Sequence, residues 1–360
     1  MAEDHTRRRP DPAELSPREA VARYLRRRKP DSTEKSIDGW DYRLKLFHEW
    51  CSSVGIEQVG QLQGYDTDEY YEHRSRETEP VTLEGEMYTL RTFCEFLEDL
   101  GAVEEGLADT VRIPDLDPEE RSSDTKLHAD DAQALLSFFR ESAEYRGTRR
   151  HAFLELAWYT GARQGGLRAL DIRDVYLDDN PYVEFRHRPN VDTRLKNGRS
   201  GERPVGLRDE TAEVLQRYVD HHRYDSRDEH GRQPFLASRD GRPTTNTMRV
   251  WSYLATQPCL HSECPHGKER ETCEWVAYSH ASKCPSTRSP HHIRTGTITW
   301  LLNKGWPPED VAERVNATVK TIEQHYDKAD PEQRRRRLRE RMEQRRRPLL
   351  DHLEFDDDDN

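Results

Sequence analysis

No stretch of the 360-residue chain comes near the roughly twenty consecutive apolar residues of a membrane span. The opening run Met1-Ala2-Glu3-Asp4-His5-Thr6-Arg7-Arg8-Arg9 also lacks the apolar core of a signal peptide. A cytoplasmic protein with no membrane partner is therefore expected. Hydrophobic residues make up only 33% of the chain and charged residues 35%, against about 25% charged in a typical globular protein. Such a composition approaches that of a disordered chain, but regular apolar periodicity runs through most of the sequence, and the length allows two domains with full cores. Positive charge is in deficit: 57 Lys and Arg face 69 Asp and Glu, a net charge of −12. No internal repeat is visible.

The periodicity divides the chain. Ser16-Pro17-Arg18-Glu19 reads as a capped helix start with Pro in the first turn. Ile37, Trp40, Leu44, Phe47 and Trp50 fall on one helical face, and Tyr88, Phe93, Phe96, Leu97 and Leu100 give a second amphipathic helix. A helical unit is thus expected over 15–105, with Cys51 and Cys94 in its core. Gly106 to Lys126, with Ile113-Pro114 and repeated acids, reads as a linker. Beyond it, Ala129 to Ser142, Arg149 to Tyr159, Thr211 to His222, Thr245 to Ala255, Ile298 to Lys304 and Pro308 to Val315 read as helices. Val175 to Leu177 and Tyr182 to Phe185 read as short strands. The fold class is mainly α with a small antiparallel β-sheet (α+β).

Chemistry concentrates in the second half. In Ser289-Pro290-His291-His292-Ile293-Arg294, His291 and Arg294 are three residues apart, so on a helix they face the same way and can grip one phosphate. Tyr326 follows in Glu323-Gln324-His325-Tyr326-Asp327 and can attack that phosphate. Upstream stand Thr160-Gly161-Ala162-Arg163 and the basic run Arg194-Leu195-Lys196-Asn197-Gly198-Arg199, which leads through Gly201-Glu202-Arg203 to Pro204-Val205-Gly206-Leu207. Each box alone is weak, since Thr-Gly-Ala-Arg could be an ordinary helix end with a Gly cap. Four elements in the order Arg, Lys, His-x-x-Arg, Tyr are far more specific.

Together these boxes resemble the catalytic region of the tyrosine recombinases, the phage-type integrases, over about residues 125 to 330. The resemblance implies a helical SAM-like core-binding domain over 15–105, a catalytic domain over 127–330, and a C-terminal extension over 331–360. It implies a site-specific DNA recombinase in which Arg163, Lys196, His291, Arg294 and Tyr326 are catalytic. Tyr326 would form a 3′-phosphotyrosine, Lys196 would protonate the departing 5′-hydroxyl, and no metal would be needed. Arg194 and Arg199 share the hairpin with Lys196 and are alternatives for contacting the DNA backbone. The partners implied are double-stranded DNA and further copies of the chain, in a tetramer at the synapse. In the first unit Arg26, Arg27, Arg28, Lys29 and Lys35 are candidates for phosphate contact.

Two positions depart from the family pattern. The acidic residue expected three after the first arginine is replaced by Gly166, and the His or Trp expected nine or ten before the tyrosine by Val315-Asn316-Ala317. Asn316 is the auxiliary candidate there, although an amide is uncharged and stabilises a phosphate more weakly. These departures keep open a DNA-binding relative with weakened or absent catalysis. A type IB topoisomerase shares the chemistry. The acidic balance is the wrong sign for a DNA-binding protein. It fits a halophilic host, because abundant acid, Arg in excess of Lys and low hydrophobicity resemble haloarchaeal proteins.

Cys259, Cys264, Cys273 and Cys284 cluster with His261, His266 and His280 just before the His291 box. In a cytosolic chain such a group suggests a structural zinc, although no Cys-x2-Cys knuckle is present and buried free thiols are the alternative. After Tyr326, Gln333 to Arg347 is an arginine-dense helix candidate with Leu338 and Met342, followed by the acidic tail Asp356 to Asp359.

Overall fold

The computed structural model describes residues 11–326, apart from 118, 119, 122, 123 and 192, and beyond them only 332, 335–340, 342, 343 and 346. The acidic tail lies outside the described residues, as does much of the arginine-dense segment, whose described residues are helical. The chain divides into two compact units at Ser123/Asp124.

The first unit is helical. α1 (Pro17–Arg28) begins at the expected capping box: Ser16 Oγ accepts from Glu19 N at 3.3 Å, and the Glu19 carboxylate accepts from Ser16 N at 3.0 Å. α2 (Glu34–Val54) ends at Gly55, whose φ of 83° places it in the left-handed region. α3 (Gly64–Ser75), α4 (Pro80–Asp99) and the single turn α5 (Leu107–Thr110) complete the unit. The core is aromatic, with Phe47 edge-on to Tyr70 at 5.0 Å and Tyr24 edge-on to Phe93 at 5.6 Å. Cys51 and Cys94 are buried in it, and burial pushes the Cys51 thiol up to about 12. Tyr88 is exposed. It lies two residues before the buried Leu90, which at 3.6 residues per turn puts it on nearly the opposite side of α4. Leu107, Ala108 and Val111, within the stretch read as linker, are buried in this core. Arg26, Arg27, Arg28, Lys29 and Lys35 are all exposed. Arg28 stacks on Trp40 at 4.9 Å, and Arg27 meets Asp99 at 3.5 Å.

The second unit wraps helices around one buried helix. α6 (Ala129–Glu141) leads into α7 (Arg149–Thr160), in which every residue from His151 to Thr160 is buried. A helix buried on every side lies at the centre of a core, here with its one acid, Glu155, answered by Arg140 and His151, and α6, α9 (Asp209–His221), α10 (Thr245–Ala255) and α11 (Pro290–Asn303) pack on it. The six-residue α8 (Gln164–Ala169) precedes a three-stranded antiparallel sheet of β1 (Val175–Tyr176), β2 (Tyr182–Phe185) and β3 (Arg203–Gly206), in that order. Phe185 pairs with Arg203 and Tyr182 with Gly206, so Pro204 lies on an edge strand, where its missing N–H costs nothing. α12 (Pro308–Val315) and α13 (Val319–His325) pack in sequence after α11. The helix expected from Ile298 begins eight residues earlier. Its first half is rich in His, Arg and Thr, which interrupts the apolar pattern, and Thr297 Oγ1 turns inward to donate to Trp158 O at 2.9 Å.

Candidate active site

α7 stops at Gly161, with φ 58°. A Cβ at this position would sit 2.9 Å from Val315 Cγ1, so both the backbone and the space require glycine. The turn delivers Arg163 to the start of α8. α11 starts at Ser289, whose Oγ accepts from His292 N at 3.3 Å, with Pro290 in its first turn. Gly296 lets this helix close on the Leu127 carbonyl, which a Cβ would strike.

The two arginines converge on the end of α12. Arg294 is only 1% exposed, and its Nη1 donates to Gly161 O at 2.6 Å and to Val315 O at 2.7 Å. Arg163 Nη1 donates to the next carbonyl, Asn316 O, at 2.6 Å. Arg203 Nε takes the preceding one, Arg314 O, at 2.7 Å, and Arg314 itself donates to Tyr159 O at 2.7 Å. These are carbonyls at a helix C-terminus, which need donors and carry partial negative charge. Among the described residues no carboxylate lies within ion-pairing distance of any of these four arginines. Burial pushes Arg294 down to about 10 while Tyr326 pulls the other way, and burial with Arg294, Arg163 and Arg314 nearby brings Arg203 to about 10. Arg294 Nε and Nη2 are buried with no partner that meets hydrogen-bond geometry, the Tyr326 side chain being near enough to favour the charge without closing such a bond. Buried donors without partners are costly, and an anion beside them would satisfy both.

Tyr326 stands beside Arg294 and is itself buried. Its ring centroid lies 5.2 Å from the Arg294 guanidinium and 5.6 Å from the His291 ring. Its carbonyl accepts from Thr299 Oγ1 at 2.9 Å and its N–H donates to Ile322 O at 2.9 Å, which ties the residue to α11 as well as α13. His291 is exposed, whereas His292 is half-buried and folds back toward Ser289 N, 3.4 Å from its Nδ1. Burial, then His291 and Arg288, lower His292 below its ordinary value. Lys196 is exposed in a turn of the segment between β2 and β3. Its neighbour Asn197 donates through Nδ2 to Asn316 Oδ1 at 2.9 Å. Asn316 is left-handed, φ 52°, at the end of α12. Thus Arg163, His291, Arg294 and Tyr326 come together, and the Lys196 turn reaches the same place through Asn197 and Asn316. Gly166 faces Phe185, 3.4 Å from where a Cβ would stand, so an apolar ring occupies the space beside it.

The four clustered cysteines lie in the stretch between α10 and α11, where only short 3-10 turns form. Burial raises the Cys284 thiol, with Cys259 and Cys264 adding to it. Arg270 Nη1 donates to Cys259 Sγ at 3.0 Å, and His266 bonds Ser286 at 2.9 Å. Among the described residues no three His, Cys, Asp or Glu side chains converge to hold a metal ion.

The sequence profile of the phage integrase family matches residues 125–333, which contain this whole site. The chain belongs to that family. An integrase of the Tn1549 transposon, solved with a circular intermediate DNA, matches 91% of this chain and 99% of its own with a TM-score of 0.65 at 15% identity. A lambda integrase dimer bound to a COC′ core site matches 87% and 77% with a TM-score of 0.59 at 12% identity. At such identities the likeness establishes the tyrosine-recombinase fold. The N-terminal domain of a phage integrase/site-specific recombinase from Haloarcula marismortui is 42% identical over 28% of this chain and 97% of its own, with a TM-score of 0.27. A search of curated proteins found no match.

Within this integrase-family site, sequence reasoning missed Arg203, Arg314 and Thr299. Arg203 alone carried a signal, as a charged residue opening an edge strand directly after the basic run.

Proposed function

We propose that this integrase-family protein is a site-specific DNA recombinase that cuts and rejoins strands through a 3′-phosphotyrosine on Tyr326. Arg163 and Arg294 hold the scissile phosphate and neutralise its non-bridging oxygens as charge builds in the five-coordinate transition state. Free tyrosine titrates at about 10, so His291, beside the ring, takes the phenol proton as the oxygen attacks phosphorus. The P–O5′ bond breaks, its electron pair stays on O5′, and Lys196 supplies the proton. The 5′-hydroxyl of a second strand then attacks the phosphotyrosine and restores a phosphodiester, so exchange needs no ATP. Double-stranded DNA is the substrate and a tetramer of this chain the working assembly.

The observation that carries this reading is the pair of buried Arg294 donors, beside the Tyr326 ring and without a partner of hydrogen-bond geometry, in a cluster of arginines that meets no acid among the described residues. The test is a nicked suicide duplex, built from DNA selected for binding by the protein and run in concentrated potassium chloride on a denaturing gel. A slow-migrating adduct with the wild type and none with Tyr326→Phe is expected. No adduct on DNA that the wild type binds would favour the binding-only relative that Gly166 and Asn316 suggest.

A further inference from the structure

The segment that carries Lys196 is tied to the end of α12 at two points. Arg203, directly after it, spans from Arg314 O to Gly201 O, the latter at 3.0 Å from Nη1, with its guanidinium 4.5 Å from the centroid of Phe185. Asn197 bonds Asn316, and Gly201 makes room for this, since a Cβ there would lie 2.5 Å from Asn316 Nδ2. Val315 O and Asn316 O, on the same rim, hold Arg294 and Arg163. The lysine loop and the phosphate-facing arginines therefore share one reference, residues 314–316.

We propose that Arg203, seconded by Asn316, is a positioning residue that holds the Lys196 loop in register with the phosphate site, so that Lys196 can protonate O5′ as it leaves. Arg203 exchanges no proton itself. The proposal rests on the recombinase reading above and deepens it. It gives Asn316 a role as a latch through its side-chain oxygen, rather than as a replacement donor to the phosphate. It also accounts for a guanidinium kept among three others with no acid in contact among the described residues, where burial and its neighbours work against its charge.

The test compares nicked duplexes with oxygen or sulfur at the bridging 5′ position. A thiolate, with a conjugate acid near 8.5, departs without a proton donor. On the oxygen substrate Lys196→Ala and Arg203→Met both slow adduct formation, the latter on the order of a hundredfold, as for a reacting group misplaced by about 1 Å. On sulfur both return to near the wild-type rate, while Arg294→Gln stays slow on either substrate. Asn316→Gly keeps the left-handed backbone and deletes the latch, so it shows a smaller loss with the same rescue. It decides the matter if Arg203→Met does not fold. Rescue of Lys196→Ala without rescue of Arg203→Met or Asn316→Gly, or no slowing of either variant on oxygen, overturns the proposal. A wild type that forms no adduct on either substrate overturns the recombinase reading, and the proposal with it.

Discussion

Two arginine clusters in the second unit are built on opposite rules. Around Asp171, Asp174 and Asp228 every guanidinium finds a carboxylate: Arg242 bonds Asp171 and meets Asp228 at 2.9 Å, Arg188 meets Asp174 at 2.6 Å, and Arg232 meets Asp228 at 3.1 Å. Around Arg294, among the described residues, the guanidinium groups of residues 163, 203 and 314 hydrogen-bond only to carbonyls, and two Arg294 donors have no partner of hydrogen-bond geometry. The first cluster is complete without a ligand and reads as structure. The second leaves positive charge buried and unanswered, a standing cost in the free protein that an anion would remove. The chain's acidic excess makes this contrast sharper, because among the described residues acid lines the first of these two clusters and not the second.

The comparison can be broken most severely on the paired side. Arg242→Met takes from Asp171 and Asp228 the guanidinium they share, leaving Arg232 as the arginine bonded to Asp228, and breaking a buried pair typically costs about 3–5 kcal/mol. Denaturant unfolding should show that loss, with adduct formation by the folded fraction unchanged. On the unpaired side, Arg294→Gln should leave DNA binding largely intact but slow adduct formation on the order of 10²–10³-fold, the effect of losing one preorganised donor. Single-turnover rates check this.

Acid separates the clusters next. Burial works to raise the Asp228 carboxyl, but the Arg232 backbone N–H and the Arg242 and Arg232 side chains hold it down to about 2. Because the folded value lies below the unfolded one, near 3.9, its stabilisation is fully present above that value and is lost as pH falls through about 2. Thermal melts between pH 5 and 2 should fall less steeply in Asp228→Asn than in the wild type. The smallest effect is ligand linkage: sulfate at about 100 times its Kd would stabilise by roughly 2.7 kcal/mol, falling with the logarithm of its concentration below that. The melting temperature of the wild type should rise with sulfate at constant ionic strength, and that of Arg294→Gln should not.

Helices with a clean apolar stripe, such as α10 and α12, could be read from sequence to the residue. So could β2, a short aromatic and β-branched run. α8 and α13 were not visible: α8 has six residues, two of them glycine, and α13 has seven, too short for periodicity to declare itself. The order of Arg163, Lys196, His291, Arg294 and Tyr326 was legible because chemistry fixes those residue types. What holds them was not. The rim at 314–316 acts through backbone carbonyls, which any sequence could supply, and the Asn197–Asn316 bond joins residues 119 apart. The cysteine cluster shows the converse, since proximity in sequence did not bring three metal-ligating side chains together among the described residues.

The central claim is that Arg294 and its neighbours present a phosphate to Tyr326. Mass spectrometry of a nuclease-trimmed, trypsin-digested adduct from the wild type tests it most directly. A nucleotide joined through its 3′-phosphate to the peptide containing Tyr326 is the expected result. Attachment to any other residue, or through a 5′-phosphate, would contradict it.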